Sequence, residues 1–388
     1  MKKKMLLIRA DANKKIGLGH VMRCLTIAEA AEMSGIETVF LLSDDSAEEL
    51  LKERGQAYRI LHTNFANMES ELPTLFETVE NDIQTQSGNS IFKVKSTEDK
   101  FCHSESLLKN KEITETVFLL DSYQITAAYM QELKAWLNKH NICLALMEDY
   151  GNVPYSADIL INYNIYGINF SYEKNAPKSL LGCRYMPLRQ PFTQQKYKIR
   201  EQVQNILITT GGSDSYHIGT ELVKQLTDKQ FSSNQKLSVH VVCGKFSQSR
   251  EELLQLAQQN SSITVHTDVK EMWTLMSGCD IAISAAGTTL YELCAIGVPT
   301  ICFSFAENQI LPGTAFGEHT PMYYAGDYEK DKTAMFTKIL AKTEALCKMS
   351  KEHRQQISNT LKQVVDGQGA SRIVSELFIQ SEKKGART

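Results

Sequence analysis

Several things are missing from this sequence, and each absence narrows its reading. No apolar run approaches the ~20 residues that span a bilayer, so no membrane partner is expected. Met1-Lys2-Lys3-Lys4 resembles the basic start of a signal peptide, but the apolar run behind it is broken at Arg9 and Asp11. Excess charge is also missing: 42 Lys and Arg stand against 45 Asp and Glu, a formal net charge of -3, so no nucleic-acid partner is expected. The nine cysteines are odd in number and form no C-x-x-C pair. That argues against a disulfide framework or structural zinc and predicts a reducing, cytoplasmic setting. No G-x-x-x-x-G-K-[ST] occurs, which excludes nucleotide hydrolysis of the P-loop kind.

What is present is a soluble, two-domain composition. With 388 residues, 42% hydrophobic and 22% charged, the chain suits two domains of roughly 150–200 residues each. In the first half Met5–Ile8, Thr38–Leu42, Thr116–Leu120, Ile142–Met147 and Ile159–Ile161 read as strands, with helical patterns such as Thr126–His140 between them. A second set follows: Asn205–Thr209, Leu237–Val242, Ile263–Val265, Asp280–Ser284 and Thr300–Phe303. The alternation predicts two α/β Rossmann-like domains, at 1–192 and 203–388, joined by the polar stretch after Arg189-Gln190-Pro191-Phe192. The polar region of about 64–115 reads as a solvated insertion, with a helix near Leu72–Val79 and a tip around Gln84–Lys100. Lys342–Phe378 reads as helix and Lys383–Thr388 as a disordered tail.

The chain is organised around Asp11 to Arg23, which includes Ile16-Gly17-Leu18-Gly19-His20-Val21-Met22. A buried strand precedes it and a helix follows, ending at Gly35. His20 would fall on the first helical turn, where the helix end disfavours imidazolium, so a neutral base is expected. The alternatives are a capping or packing histidine, or a dinucleotide loop. The latter has Met22 where its third glycine belongs, and Asp44 and Asp45 where a ribose carboxylate would sit. Leu120-Asp121-Ser122-Tyr123 and Glu148-Asp149-Tyr150 end strands, so Asp121 and Asp149 either line the His20 cleft or cap helices.

In the second half two turns suit anions: Thr209-Thr210-Gly211-Gly212-Ser213-Asp214, and Ser284-Ala285-Ala286-Gly287-Thr288-Thr289, which runs into a helix carrying Glu292. Glu292 is placed either for a ribose or as a helix-capping residue. After the helix stops at Gly297, Ala306-Glu307-Asn308-Gln309 offers amides that suit sugar hydroxyls and acetamido groups.

As a set, these motifs resemble the UDP-sugar hydrolases of pseudaminic acid biosynthesis and their spore-coat polysaccharide relatives, themselves similar to GT-B glycosyltransferases. The resemblance spans nearly the whole chain outside the insertion. It implies two Rossmann-like domains facing across a cleft, and a metal-independent, cofactor-free enzyme (the chain has no D-x-D pair). The implied reaction releases UDP from UDP-2,4-diacetamido-2,4,6-trideoxy-β-L-altropyranose with inversion, the only partner being that small-molecule substrate. The protein would be a monomer or weak homo-oligomer. His20 would activate water, with Gly17 and Gly19 shaping its loop and Asp11, Arg23, Asp121, Tyr123, Asn308 and Gln309 on the substrate. Gly287, Thr288 and Thr289 would hold the diphosphate and Glu292 the ribose, with Gly211, Gly212, Ser284 and Ala286 completing the nucleotide site. The alternative is a GT-B transferase using a UDP-sugar donor. The chain departs from the family at Glu148-Asp149, where two aspartates are usual, and at Gln190-Pro191, where Pro-Glu is commoner, and this leaves the sugar open.

Overall fold

A computed structural model of the chain describes residues 3–13, 16–85, 113–151, 154–212, 214–228, 237–244 and 247–385. It divides into two compact units, Met1–Tyr163 with Asn169–Leu181 and Ala370–Thr388, and Asn164–Ile168 with Gly182–Gly369.

The first unit runs β1 (Lys3–Ala10), α1 (Gly19–Met33), β2 (Glu37–Leu42), α2 (Glu48–Glu53), β3 (Tyr58–Ile60), α3 (Leu72–Thr85), β4 (Ile113–Asp121), α4 (Ala127–Lys139), β5 (Cys143–Met147), β6 (Ile159–Asn162) and β7 (Lys178–Leu181). Its parallel strands lie in the order β3-β2-β1-β4-β5-β6-β7. The second unit has β8 (Asn205–Thr209), α5 (Ile218–Asp228), β9 (Ser238–Cys243), α6 (Arg250–Gln259), β10 (Ile263–Thr267), α7 (Met272–Ser277), β11 (Ile281–Ala285) and α8 (Thr289–Ile296). It continues with β12 (Thr300–Ser304), α9 (Glu307–His319), β13 (Tyr323–Asp327), α10 (Tyr328–Lys348) and α11 (Lys351–Val364). Its strands, also parallel, lie in the order β10-β9-β8-β11-β12-β13. The last helix, α12 (Gly369–Gly385), lies almost wholly in the first unit.

Both sheets reverse strand order at one place, between β1 and β4 and between β8 and β11. The crevice beyond the carboxyl ends of such strands is where open α/β sheets bind ligands. Met5–Ile8, Val117–Leu120 and Ile281–Ile283 are buried on both faces, so they read in sequence as unbroken apolar runs. All ten expected strands are present. The sequence reading missed β3, β7 and β13. Each forms a sheet edge and is only partly buried, so none carries such a run. It also missed α9, whose interior holds Pro312, ordinarily a helix breaker.

Four expectations are corrected. Residues 68–85 are not a solvated excursion: Met68, Leu72, Leu75 and Val79 are in the core, and Glu71 makes a fully buried pair with Arg9. The tip expected around Gln84–Lys100 falls mostly outside the described residues, which exclude 86–112. The tail is helical to Gly385, with Lys384 Nζ donating to Asn138 Oδ1, the Ile142 carbonyl and Asp158 Oδ2 at 2.7–2.8 Å; residues 386–388 are outside the description. The expected single helix over Lys342–Phe378 is broken twice, at Met349-Ser350 and at 365–368. The chain also changes unit at Gly182, ahead of the expected linker. Arg189 stacks on Phe192 and Trp273 there and pairs with Glu292, all within the second unit.

Candidate functional site

In the first unit the loop after β1 is tied by its own backbone. Gly17 N–H donates to the Asn13 carbonyl at 2.8 Å, and Asn13 Oδ1 accepts from Ile16 N–H. Gly17 has φ +75°, a conformation any side chain would strain. Lys14 and Lys15 lie outside the described residues. Helix α1 then starts at Gly19, so His20 stands on its first turn and is 6% exposed.

β4 ends at Asp121, in register with Ala10 of β1, which brings the carboxylate beside the helix start. His20 Nδ1 lies 2.6 Å from Asp121 Oδ1. Arg23, one turn along α1, forks onto the same carboxylate, with Nε to Oδ2 and Nη2 to Oδ1 both at 2.6 Å. Its Nη1 donates to Asp149 at 2.9 and 3.1 Å and to the Tyr163 hydroxyl at 2.9 Å. Tyr123 donates to Asp149 Oδ2 at 2.7 Å and sets its ring edge-on to His20, 4.4 Å between centroids. Burial pushes the Asp121 carboxyl upward, but Arg23 and His20 overcome this and hold it well below the usual carboxylate range. An ionised Asp121 accepts, which assigns the hydrogen of a neutral His20 ring to Nδ1 and leaves Nε2 as the acceptor. Among the described residues Nε2 has no hydrogen-bond partner. The ring borders a recess of about 10 Å³ lined by Asp11, Ile16, His20, Asp121, Tyr123 and Gln124, among others. A single ordered water needs on the order of 10–15 Å³ by this measure.

The neighbouring residues divide into working and supporting parts. Asp11 supports the fold: Oδ1 accepts from the Ser43 N–H and hydroxyl at 2.8 Å, and Oδ2 pairs with Arg9 at 2.7 Å. Glu148 accepts from Gly151 N–H, Asn162 and Tyr172, so the longer acid of Glu148-Asp149 shapes the loop and the shorter one faces Arg23. Asp44 is occupied in a turn, accepting from Ser46 N–H at 2.8 Å.

In the second unit the two glycine-bearing turns flank the strand reversal, but their chemistry differs. After β8, Gly211 adopts φ +84°, and a Cβ on Gly244 would meet the Gly212 carbonyl oxygen at 2.4 Å, so this turn is packed backbone to backbone. Ser213 is outside the described residues. Asp214 then caps α5, taking Ile218 N–H at 3.0 Å, Gly219 N–H at 3.1 Å and the Ser249 hydroxyl at 3.0 Å. A carboxylate already sits where an anion would bind. After β11 no such group intervenes. Thr288 provides no side-chain cap to α8, and the Thr288 and Thr289 N–H groups have no partner among the described residues. Gly287 leaves open space around them, while Ser284 donates to the Ala285 carbonyl and Ala286 is buried.

Glu292 is one turn into α8, its Oε1 3.5 Å from Arg189 Nη2. Burial raises its carboxyl to about 7, against the pull of Arg189. The sequence reading missed Arg189 as a site residue. Only its position before Gln190-Pro191-Phe192 marked it. Beyond β12, Asn308 is exposed on the first turn of α9, whereas Gln309 turns back and accepts Phe305 N–H at 3.0 Å. The expected residues thus form two groups, His20, Arg23, Asp121 and Tyr123 in one unit, and Gly211–Gly212, Ser284–Glu292 and Asn308 at strand ends in the other.

These strand orders and ends define a GT-B glycosyltransferase-like fold, and residues 205–366 match the glycosyltransferase family 28 C-terminal domain. The crystal structure of Acinetobacter baumannii MurG shares the fold, with a TM-score of 0.61 at 14% identity, over 96% of this chain and 99% of that one. Among curated relatives, the chain is 24% identical to the spore coat polysaccharide biosynthesis protein SpsG of Bacillus subtilis, over 80% of each. It is 29% identical to the pseudaminic acid cytidylyltransferase and UDP-2,4-diacetamido-2,4,6-trideoxy-beta-L-altropyranose hydrolase of Helicobacter pylori, over 35% of this chain and 23% of that protein. An uncharacterized protein of Methanocaldococcus jannaschii is 23% identical over 76% of this chain, which spans about half of that relative, 54%. The matches bear out the family resemblance read from the sequence. They make its fold glycosyltransferase-like and give the chain relatives in sugar and polysaccharide biosynthesis. No helix among the described residues is long and apolar enough to cross a membrane.

Proposed function

We propose that this chain is a nucleotide-sugar hydrolase that releases UDP from a UDP-linked diacetamido-trideoxyhexose, in pseudaminic acid or surface polysaccharide biosynthesis. One observation carries the reading: a histidine with Nδ1 fixed by an ionised aspartate and Nε2 unpartnered, beside a recess of one water's volume. In this reading water attacks the anomeric carbon and its proton passes to His20 Nε2. The carbon–oxygen bond to the β-phosphate breaks, the electron pair leaves with UDP, and the sugar emerges inverted. Asp121 stabilises the imidazolium that forms, and Arg23 positions Asp121. The free N–H groups of Thr288 and Thr289 meet the negative charge that builds on the departing diphosphate. Glu292 accepts from the ribose hydroxyls, and Asn308 contacts the sugar.

The test is to incubate purified protein with the UDP-sugar in ¹⁸O-water, without any acceptor, and to follow free UDP. Expected are UDP release and label on the sugar; no release, or label on phosphate, rejects the reaction. The match of residues 205–366 to a glycosyltransferase domain supports a second reading, in which an acceptor hydroxyl takes the place of water. In that case UDP release would depend on added acceptor.

A further inference from the structure

A tyrosine outside the groups described so far stands on a turn of left-handed backbone, its hydroxyl donating to Glu329 Oε1. Tyr216 is 41% exposed and lies between two non-glycine residues in the left-handed region, Asp214 at φ +44° and His217 at φ +54°. Such residues cost of order 1–3 kcal/mol each and persist where neighbours over-determine them. Here Ser249 does so, its hydroxyl lying 3.0 Å from the Asp214 carboxylate and 3.1 Å from His217 Nδ1. The ring leans on Tyr328 at 4.8 Å between centroids and meets Phe305 edge-on at 6.2 Å.

This cluster draws on the carboxyl ends of three strands, β8, β12 and β13, and the N–H of Phe305 donates to Oε1 of Gln309, the residue after Asn308. The open recess in front of it, about 650 Å³, is lined by Tyr216, Tyr328 and the polar run Glu329 to Lys332. Within that run α10 breaks at Asp331 (φ −159°, ψ 87°), with Asp327 capping Lys330 and Asp331 capping Ala334. An aromatic face edged by alternating acids and lysines is the surface a pyranose takes. Its C–H face lies on the rings and its hydroxyls and amides reach the charged rim.

We propose that Tyr216 and Tyr328 form the wall that receives the sugar ring of the nucleotide sugar and so set specificity for that sugar. The proposal rests on the reading of the second unit as the holder of a UDP-sugar. It is tested by calorimetry on the intact chain carrying His20→Ala, which slows turnover, titrating UDP and then UDP-2,4-diacetamido-2,4,6-trideoxy-β-L-altropyranose with Tyr216 native, as Tyr216→Ala and as Tyr216→Phe. Loss of one stacked ring should weaken UDP-sugar binding by about tenfold in Tyr216→Ala. UDP affinity should stay unchanged, and Tyr216→Phe, which keeps the ring, should stay within about threefold. If Tyr216→Ala does not fold, Tyr328→Leu carries the same expectation. UDP-sugar affinity unchanged in a folded Tyr216→Ala, with UDP still bound, overturns the wall alone. A chain with Tyr216 native that binds neither UDP nor the UDP-sugar overturns the nucleotide-sugar reading and the wall with it.

Discussion

Replacing Asp121 with Asn tests the catalytic reading where it is most exposed to failure. The carboxylate is fully buried. Oδ1 serves His20 and Arg23 Nη2, and Oδ2 serves Arg23 Nε and, at 3.4 Å, the Cys24 thiol. Asparagine has the same shape but must put an NH₂ in one of those places. At the Oδ1 position it faces the His20 ring and forces the ring hydrogen onto Nε2, which removes the acceptor for water's proton. At the Oδ2 position it sets N–H against Arg23 Nε–H, and Asp149 alone then balances that guanidinium. Breaking a buried pair typically destabilises by about 3–5 kcal/mol; the retained Asp149 contact puts Asp121→Asn toward the lower figure. Losing general-base action should lower UDP release by ~10²–10⁴-fold, the same range expected for His20→Ala. The assay is single-turnover UDP release, with UDP affinity and urea unfolding measured on the same variants. UDP affinity should not move. A folded Asp121→Asn turning over within about threefold of wild type would refute the dyad.

Two further substitutions test other parts of the structure. Glu292 has a folded value of about 7 against an ordinary 4.5, so the folded state binds the extra proton and stability falls as pH rises between those values. Glu292→Gln should therefore be more stable than wild type at pH 8 by up to about 3 kcal/mol, less a discount for its partial exposure. It should also bind uridine more weakly, and a pH-independent stability difference rejects the assignment. Glu71→Gln leaves the fully buried Arg9 with Asp11 in place of two carboxylates and should cost toward the lower end of about 3–5 kcal/mol in urea unfolding; a near-neutral change would mean that residues 68–85 do not belong to the core.

The sequence revealed the fold where strands are buried on both faces and concealed it at the edges. Met5–Ile8 and Thr300–Phe303 cannot be mistaken, whereas Tyr58–Ile60 has three half-buried residues and no pattern to find. The helix expected near Leu72–Val79 is there, but polar composition hid its burial, although Met68, Leu72, Leu75 and Val79 carry a helical stripe into the core. Within the site, His20 was legible because a loop and a helix start define it locally. Its partnership with Asp121 spans 101 residues and exists only because β4 lies beside β1. Strand order, which no local pattern encodes, made that pair. Arg189 was hidden for the same reason: its partner Glu292 is brought to it by tertiary packing.

The two strand reversals look alike in topology but have opposite electrostatic characters, and that difference supports the proposed chemistry. In the first unit the reversal is filled by one guanidinium, Arg23, against two carboxylates, Asp121 and Asp149. An excess of negative charge at close range disfavours a diphosphate and favours cations, namely an imidazolium at His20 and the positive character that an anomeric carbon gains as its leaving group departs. In the second unit the only acid at the reversal turn, Asp214, is used up on the α5 start, and the neighbouring α8 start offers unpartnered N–H groups and no acid before Glu292. A phosphate is held by such a helix start and repelled by the other reversal. The division of labour in the proposed reaction, nucleophile activation in one unit and leaving-group stabilisation in the other, therefore follows from the placement of three aspartates on two similar sheets.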